Sequence, residues 1–321
     1  MPDRVLVTGA TGFVGSHIAQ AFVEAGYEVR FGARASSNER WISSLDTERV
    51  PLDLDGSAED LSRAVHNVDV VVHAAGITRA RRPGDYYSVN AGGTRSVATA
   101  ALRAGVRRLV LISSLAARGP DGRGHPDSDY GQSKLEAESH LRALSGRMEA
   151  VVLRPAAVYG PRDTDLLPLF RMARAGWLPV PSGAALLQPV YVQDAARAAL
   201  AAAREPVGFG PFPVAENRRY TWRDVAAGLE KALGRTVRAV RLPAGAFVLA
   251  GRMAEWAARP LSAVPILDER RSRDLALNAW TCDVSGTEEA LGWRAEVPLF
   301  EGLERTVRWY GQVGWLSMKS P

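Results

Sequence analysis

The chain has 321 residues, 46% hydrophobic and 23% charged, enough to bury one large core or two joined lobes without a disulfide or metal staple. Forty basic against thirty-five acidic residues give a formal charge of +5. The charges are interspersed, which argues against nucleic acid as a partner and leaves an excess suited to small anionic ligands. Cys282 stands alone, excluding an intrachain disulfide and a multi-cysteine metal site and fitting a reducing, cytoplasmic setting.

In chain order, β-branched runs alternate with helical patterns. Strands are predicted at 5–8, 28–32, 49–52, 69–73, 108–112 and 150–154, and helices at 13–25, 57–66, 86–104 and 130–144. This rhythm predicts an α/β, doubly wound parallel sheet of the Rossmann type, with ligand chemistry along the edge where the strands end. No apolar leader precedes the first strand, and the apolar stretch 244–258 is interrupted by Arg252 and Glu255, so no membrane span is expected. After Arg154-Pro155 the rhythm breaks at Pro161, Gly176, Pro179, Pro181 and Gly183. A dinucleotide-binding domain over 1–160 is therefore expected, followed by a smaller substrate-binding lobe over 161–321, with a return of the chain to the sheet at 190–215.

The first strand runs into Gly9-Ala10-Thr11-Gly12-Phe13-Val14-Gly15 and then into a helix. Gly9 allows a tight turn, Gly12 lets the backbone approach a pyrophosphate, and Gly15 lets the helix pack on the strand, while the helix N-terminus offers N–H donors. The second strand ends in Gly32-Ala33-Arg34 with Ser37 beyond and no carboxylate for a ribose hydroxyl. Arg34, helped by Ser37, instead suits a 2′-phosphate, which predicts NADP, with NAD as the alternative.

The fifth strand ends in Ser113-Ser114, and Tyr130-Gly131-Gln132-Ser133-Lys134 opens the following helix. Residues four apart share a helix face. An ammonium beside a phenol favours the phenolate, so Tyr130 is the expected acid/base, Lys134 its partner and Ser114 the hydroxyl that binds the reacting carbonyl, with Ser113 nearer the cofactor. The chain holds eight Tyr and three Lys, so a chance Tyr-x-x-x-Lys is expected roughly 0.07 times.

On these residues the sequence resembles the extended short-chain dehydrogenase/reductase family, also called the NAD-dependent epimerase/dehydratase family, closest in pattern to its dihydroflavonol-reductase and hydroxysteroid-dehydrogenase-like branches. The resemblance implies that Asp53 and Leu54 reach the adenine and that Ala74, Ala75 and Gly76 line the cofactor cleft. It also matches Val89-Asn90 with Gly93-Thr94, placing Asn90 at the cofactor site, and sets Pro155 and Val158 beside the nicotinamide. It makes Asp194 an N-cap, and implies a homodimer paired through the third and fourth predicted helices. Thr78, Arg79, Tyr86, Tyr159 and Leu166 are candidate pocket residues.

Two departures narrow the chemistry. Leu115-Ala116 stand where the family's dehydratases carry an acidic pair, and the run Ala185-Leu186-Leu187-Gln188-Pro189 lacks the arginine that epimerases use for a diphosphate. The expected function is an NADP(H)-dependent oxidoreductase moving a hydride between nicotinamide and a carbonyl or alcohol carbon of a small organic substrate. The other readings are a sugar or sugar-nucleotide epimerase and a non-catalytic dinucleotide-binding module.

Overall fold

A computed structural model describes residues 3–119, 124–182, 186–246, 248–249, 252–253 and 280–317. Gly183, Ala185 and most of the stretch 244–258 lie outside them. The chain divides into two compact units: Met1–Ala156, Val192–Ala215 and Asp283–Arg294 form the first, and Ala157–Tyr191, Glu216–Cys282 and Ala295–Pro321 the second.

The first unit is built on a seven-stranded, wholly parallel sheet. Its strands are β1 (Arg4–Thr8), β2 (Glu28–Ala33), β3 (Thr47–Pro51), β4 (Val70–His73), β5 (Arg108–Ile112), β6 (Glu149–Pro155) and Phe212–Val214. Their order is Phe212–Val214, β6, β5, β4, β1, β2, β3. β4 and β5 are buried at every position, as central strands covered on both faces must be. β3 alternates little and stays largely exposed at the edge.

The helices are α1 (Phe13–Glu24), α2 (Ala58–Val65), α3 (Pro83–Tyr86), α4 (Gly93–Arg103) and α5 (Asp129–Arg142), with a π-helical turn over Tyr87–Gly92 joining α3 to α4. α1 packs with the helix Val192–Arg204, while α2, α4 and α5 pack in series. The alanines of Val192–Arg204 are what allow its close approach: Ala195, Ala198, Ala199 and Ala202 are all buried. Because β1 leads into α1 and its neighbour β4 leads toward α4, the strand order reverses between them, which opens a crevice at their carboxyl ends.

Within the stretch 190–215 the strand that joins the main sheet is Phe212–Val214, whereas Val190-Tyr191 pairs in parallel with Val158-Tyr159 in the second unit. A three-residue strand with a central proline carries little β signal, and Pro213 is tolerated because the strand lies at an edge. Asp194 is not an N-cap, since the helix already begins at Val192; it sits buried in the first turn and pairs with Arg197 one turn on.

Near the amino ends of the strands two buried arginines close helix C-termini. Arg30 donates to Ala64 O (3.2 Å) and His66 O (2.8 Å) and pairs with Glu48. Arg108 donates to Ala202 O (3.2 Å), Ala203 O (2.8 Å) and Glu205 O (2.7 Å) and pairs with Glu149. Truncating such a donor leaves several carbonyls without a partner, so Arg108→Ala is expected to cost about 3 kcal/mol, with little recovery from the unforked amine of Arg108→Lys. Denaturant unfolding checks this; an alanine variant within 1 kcal/mol of wild type, an order-of-magnitude bound, contradicts it.

The second unit gathers helices Leu167–Arg174, Trp222–Leu233 and Leu299–Gln312 around a core that includes Phe170, Leu178, Tyr220, Leu229, Leu303 and Tyr310. Tyr310 donates to Asp163 O at 2.6 Å. Tyr159, a candidate pocket residue from sequence, belongs to this core: it is buried against Tyr191, and a Cβ on Gly302 would stand 2.1 Å from its hydroxyl. Among the described residues no helix is long and apolar enough to cross a membrane.

Candidate active site

Gly9 follows β1 with φ +74°, a conformation L side chains rarely adopt, and a Cβ there would stand 2.7 Å from Ala75 N. Gly12 N donates to Gly9 O at 2.9 Å, closing the turn. A Cβ on Gly15 would lie 2.1 Å from Gly9 O, so hydrogen at that position is what lets α1 sit on the loop. Gly12 caps α1 without a side-chain acceptor, and the first turn carries no acidic residue. The partly exposed Thr11, Phe13 and Val14 complete this turn. A helix start with N–H donors and no competing carboxylate fits a dinucleotide pyrophosphate.

The facing wall follows β4. His73 Nδ1 and Thr8 Oγ1 are hydrogen-bonded at 2.7 Å, and Thr8 Oγ1 accepts from Ala75 N at 3.3 Å. These contacts tie Ala74-Ala75-Gly76 to the glycine loop. Burial, with a contribution from Lys134, pushes His73 down to about 3, so it stays neutral in the physiological range. At the end of β2, Arg34 is exposed; its backbone N–H donates to Ser37 Oγ at 3.1 Å. Asp53 is exposed after β3, and Leu54 packs on Gly93, whose Cβ would meet Leu54 Cδ1 at 2.9 Å.

Asn90 lies in the π turn, which carries its side chain into the cleft wall. Its Oδ1 accepts from Ile77 N (2.8 Å), and its Nδ2 donates to Ile77 O (3.1 Å) and Ser133 Oγ (3.0 Å). Asn90 thereby joins the segment after Gly76 to α5.

α5 starts at Asp129, where Ser128 Oγ accepts from Gly131 N. A Cβ on Gly131 would lie 2.5 Å from Ala116 O, so the first turn of α5 is pressed onto the short turn Leu115–Arg118 that Ser114 begins. Ser114 Oγ accepts from Ala116 N at 3.1 Å, which leaves its proton to be given elsewhere. Tyr130 is half-buried, edge-on to Tyr86 at 6.1 Å. Lys134 is buried and its Nζ donates to Ile112 O at 2.9 Å, two residues before Ser114. Burial lowers Lys134 to about 8, against an opposing pull from Glu138. The structure thus brings Ser114, Tyr130 and Lys134 to one end of β5. Pro155 is buried at the end of β6 and Val158 lies in the second unit.

Sequence reasoning passed over Glu138. Buried one turn beyond Lys134, it accepts from Ser113 Oγ (2.5 Å), Arg154 Nε (2.9 Å) and Arg154 Nη2 (2.6 Å). The available signal was an acidic residue at the same helix spacing that links Tyr130 to Lys134. The Ser113 hydroxyl is thereby turned into this buried cluster.

The profile of the NAD dependent epimerase/dehydratase family matches residues 5–213. The chain belongs to that family. Its members include NAD-dependent reductases, dehydrogenases and epimerases. A ceramide reductase of Caulobacter vibrioides is 34% identical over 97% of this chain and 96% of its own. A UDP-glucose 4-epimerase of Vibrio cholerae is 27% identical over 96% and 95%. The Bacillus cereus UDP-glucuronic acid 4-epimerase, crystallised with UDP-glucuronic acid and NAD, shares the fold of this epimerase/dehydratase member with a TM-score of 0.77 at 23% identity, over 97% of this chain and 99% of that one.

Proposed function

We propose that this family member is an NADPH-dependent reductase that converts a carbonyl to an alcohol, with the ketone of a ceramide-type lipid as the first substrate to test. The observation that carries the reading is the bond from Lys134 Nζ to Ile112 O, which pins the Tyr130 helix to the strand end bearing Ser114. The ceramide reductase relative, similar along almost the whole chain, supports the substrate class. In this reading the first unit holds the dinucleotide, with its phosphates at Gly9–Gly15 and its adenine end near Asp53 and Leu54, and the second unit is the substrate lobe.

A bound nicotinamide supplies the hydride. Tyr130 Oη gives its proton to the carbonyl oxygen, so that carbonyl, NADPH and one proton become alcohol and NADP. Ser114 Oγ donates to the same oxygen and holds it in place. Lys134, still mostly an ammonium at pH 7, favours the phenolate left on Tyr130 and reaches toward the ribose. Asn90 holds the Gly76–Ile77 wall against α5.

Arg34 is the proposed contact to the 2′-phosphate. Arg34→Ser is expected to lower the ratio of kcat/KM for NADPH over NADH by about tenfold or more, the loss of one charge-assisted contact. A ratio that does not move, or a wild-type preference for NADH, removes the NADP assignment and leaves NAD.

The second reading, an epimerase acting by transient oxidation, is favoured by the full-length similarity to the Vibrio cholerae enzyme. One assay separates the two. NADPH oxidation on a panel of ketones that includes ceramide-type lipids supports the reductase, whereas UDP-sugar turnover without added nicotinamide supports the epimerase.

A further inference from the structure

Tyr130, Lys134 and Glu138 recur every fourth residue along α5 and so stack on one helix face. Lys134 is 7% exposed and Glu138 4%, so both charges have been taken largely out of water. The one hydrogen bond from Lys134 Nζ goes to a neutral acceptor, Ile112 O. A carbonyl alone is poor compensation for a desolvated ammonium, which ordinarily calls for a counter-charge. Among the described residues, the titratable and charged groups linked to Lys134 are Tyr130 and Glu138 on its own helix, His73 at the end of β4 and, through Glu138, Arg154 on β6. His73 is neutral, Arg154 is a cation, and Tyr130 is a phenol, so Glu138 is the anion of the set.

The Glu138 carboxylate is itself fixed. Arg154 grips it with two nitrogens, at 2.9 and 2.6 Å, and Ser113 Oγ donates to it at 2.5 Å. These contacts engage it from the residue after β5 and from β6 and lock its rotamer, and it acts on Lys134 through space from one helical turn away.

We infer that Glu138 is a positioning residue for the reaction centre: clamped by Arg154 and Ser113, its carboxylate is the buried counter-charge that keeps Lys134 an ammonium one turn from Tyr130, and Arg154 sets how much of that charge Lys134 feels. The inference rests on the reductase reading only for what the ammonium is used for; the ionisation itself is a property of the unliganded protein. The sequence helps the test, because Lys134 shares the chain with only Lys231 and Lys319. Labelling lysine side chains with 13C at Cε therefore gives few NMR signals, and Lys134 is assigned by its loss in Lys134→Met.

In wild type Lys134 titrates below the ordinary lysine range, because it is buried. Glu138→Gln lowers its midpoint by about one pH unit or more, because the carboxylate is gone and the guanidinium of Arg154 loses the anion that neutralised it. Glu138→Asp retains part of the wild-type value, and Arg154→Met moves the midpoint the opposite way, upward. A purely structural role for the pair gives no such opposed signs. Should Glu138→Gln not fold, the double variant Glu138→Gln/Arg154→Met removes the carboxylate and its guanidinium partner together and is expected to titrate between Glu138→Gln and wild type. A midpoint in Glu138→Gln or the double variant that equals wild type overturns the inference, as do single variants that shift in the same direction. Where turnover is found, the alkaline limb of kcat/KM follows these midpoints; absence of NADPH oxidation in wild type defeats the reductase reading and leaves the lysine titration to judge Glu138 separately.

Discussion

Tyr130→Phe is expected to lower kcat about 10³-fold while NADPH binding changes little, since the substitution removes one hydroxyl and keeps the ring. The geometry isolates that hydroxyl as the variable. The ring keeps its edge-on contact with Tyr86, and the helix keeps the Ser128 cap and the Lys134 anchor on Ile112. The measurement pairs steady-state NADPH oxidation with cofactor binding read by fluorescence. Turnover within tenfold of wild type, set against that order-of-magnitude expectation, refutes Tyr130 as the proton donor. Loss of binding together with turnover assigns the residue to holding the cofactor instead.

Gly15→Ala is expected to weaken NADPH binding by about 10²-fold and to destabilise the first unit by about 1–3 kcal/mol. The added methyl would sit 2.1 Å from Gly9 O and 3.0 Å from Ala10 N. Both are backbone atoms that cannot rotate away, so the loop must lift from the helix or the helix must slide. Either movement displaces the N–H donors at the start of α1. Gly84→Ala in α3 is the control, because nothing lies within 4 Å of the Cβ it would gain. Titration of NADPH and thermal melts of both variants check the pair. A Gly15 variant that binds and melts like the control shows that close packing there is dispensable.

Much of the first unit was legible because its signals are local. Gly9, Gly12 and Gly15 follow a strand and precede a helix, and Tyr130 and Lys134 share a helix face, so periodicity and spacing place them before any tertiary contact is known. The family match to residues 5–213 agrees with the resemblance, and the parallel sheet with the expected fold. What escaped depends on distant partners. Glu138 reads as one more helix carboxylate until Arg154, sixteen residues on, arrives beside it. Tyr159 reads as a residue of a pocket until Gly302 is found under its ring. The strand Phe212–Val214 is three residues long and declares itself only through its pairing with Leu153–Pro155. The π turn at Tyr87–Gly92 has no compositional mark, yet it turns Asn90 inward.

The discontinuity of the first unit bears on biosynthesis. When the ribosome has delivered β6, that strand still lacks its outer neighbour, and the sheet face that Val192–Arg204 will cover is bare. The fragment therefore waits through some sixty further residues, from Ala156 to Ala215, before its edge is sealed. An open parallel edge of apolar residues is a template for intermolecular pairing. A gene truncated soon after β6 should accordingly yield inclusion bodies rather than a soluble nucleotide-binding module, which makes internal loops, not the end of β6, the sensible places for tags and fusions.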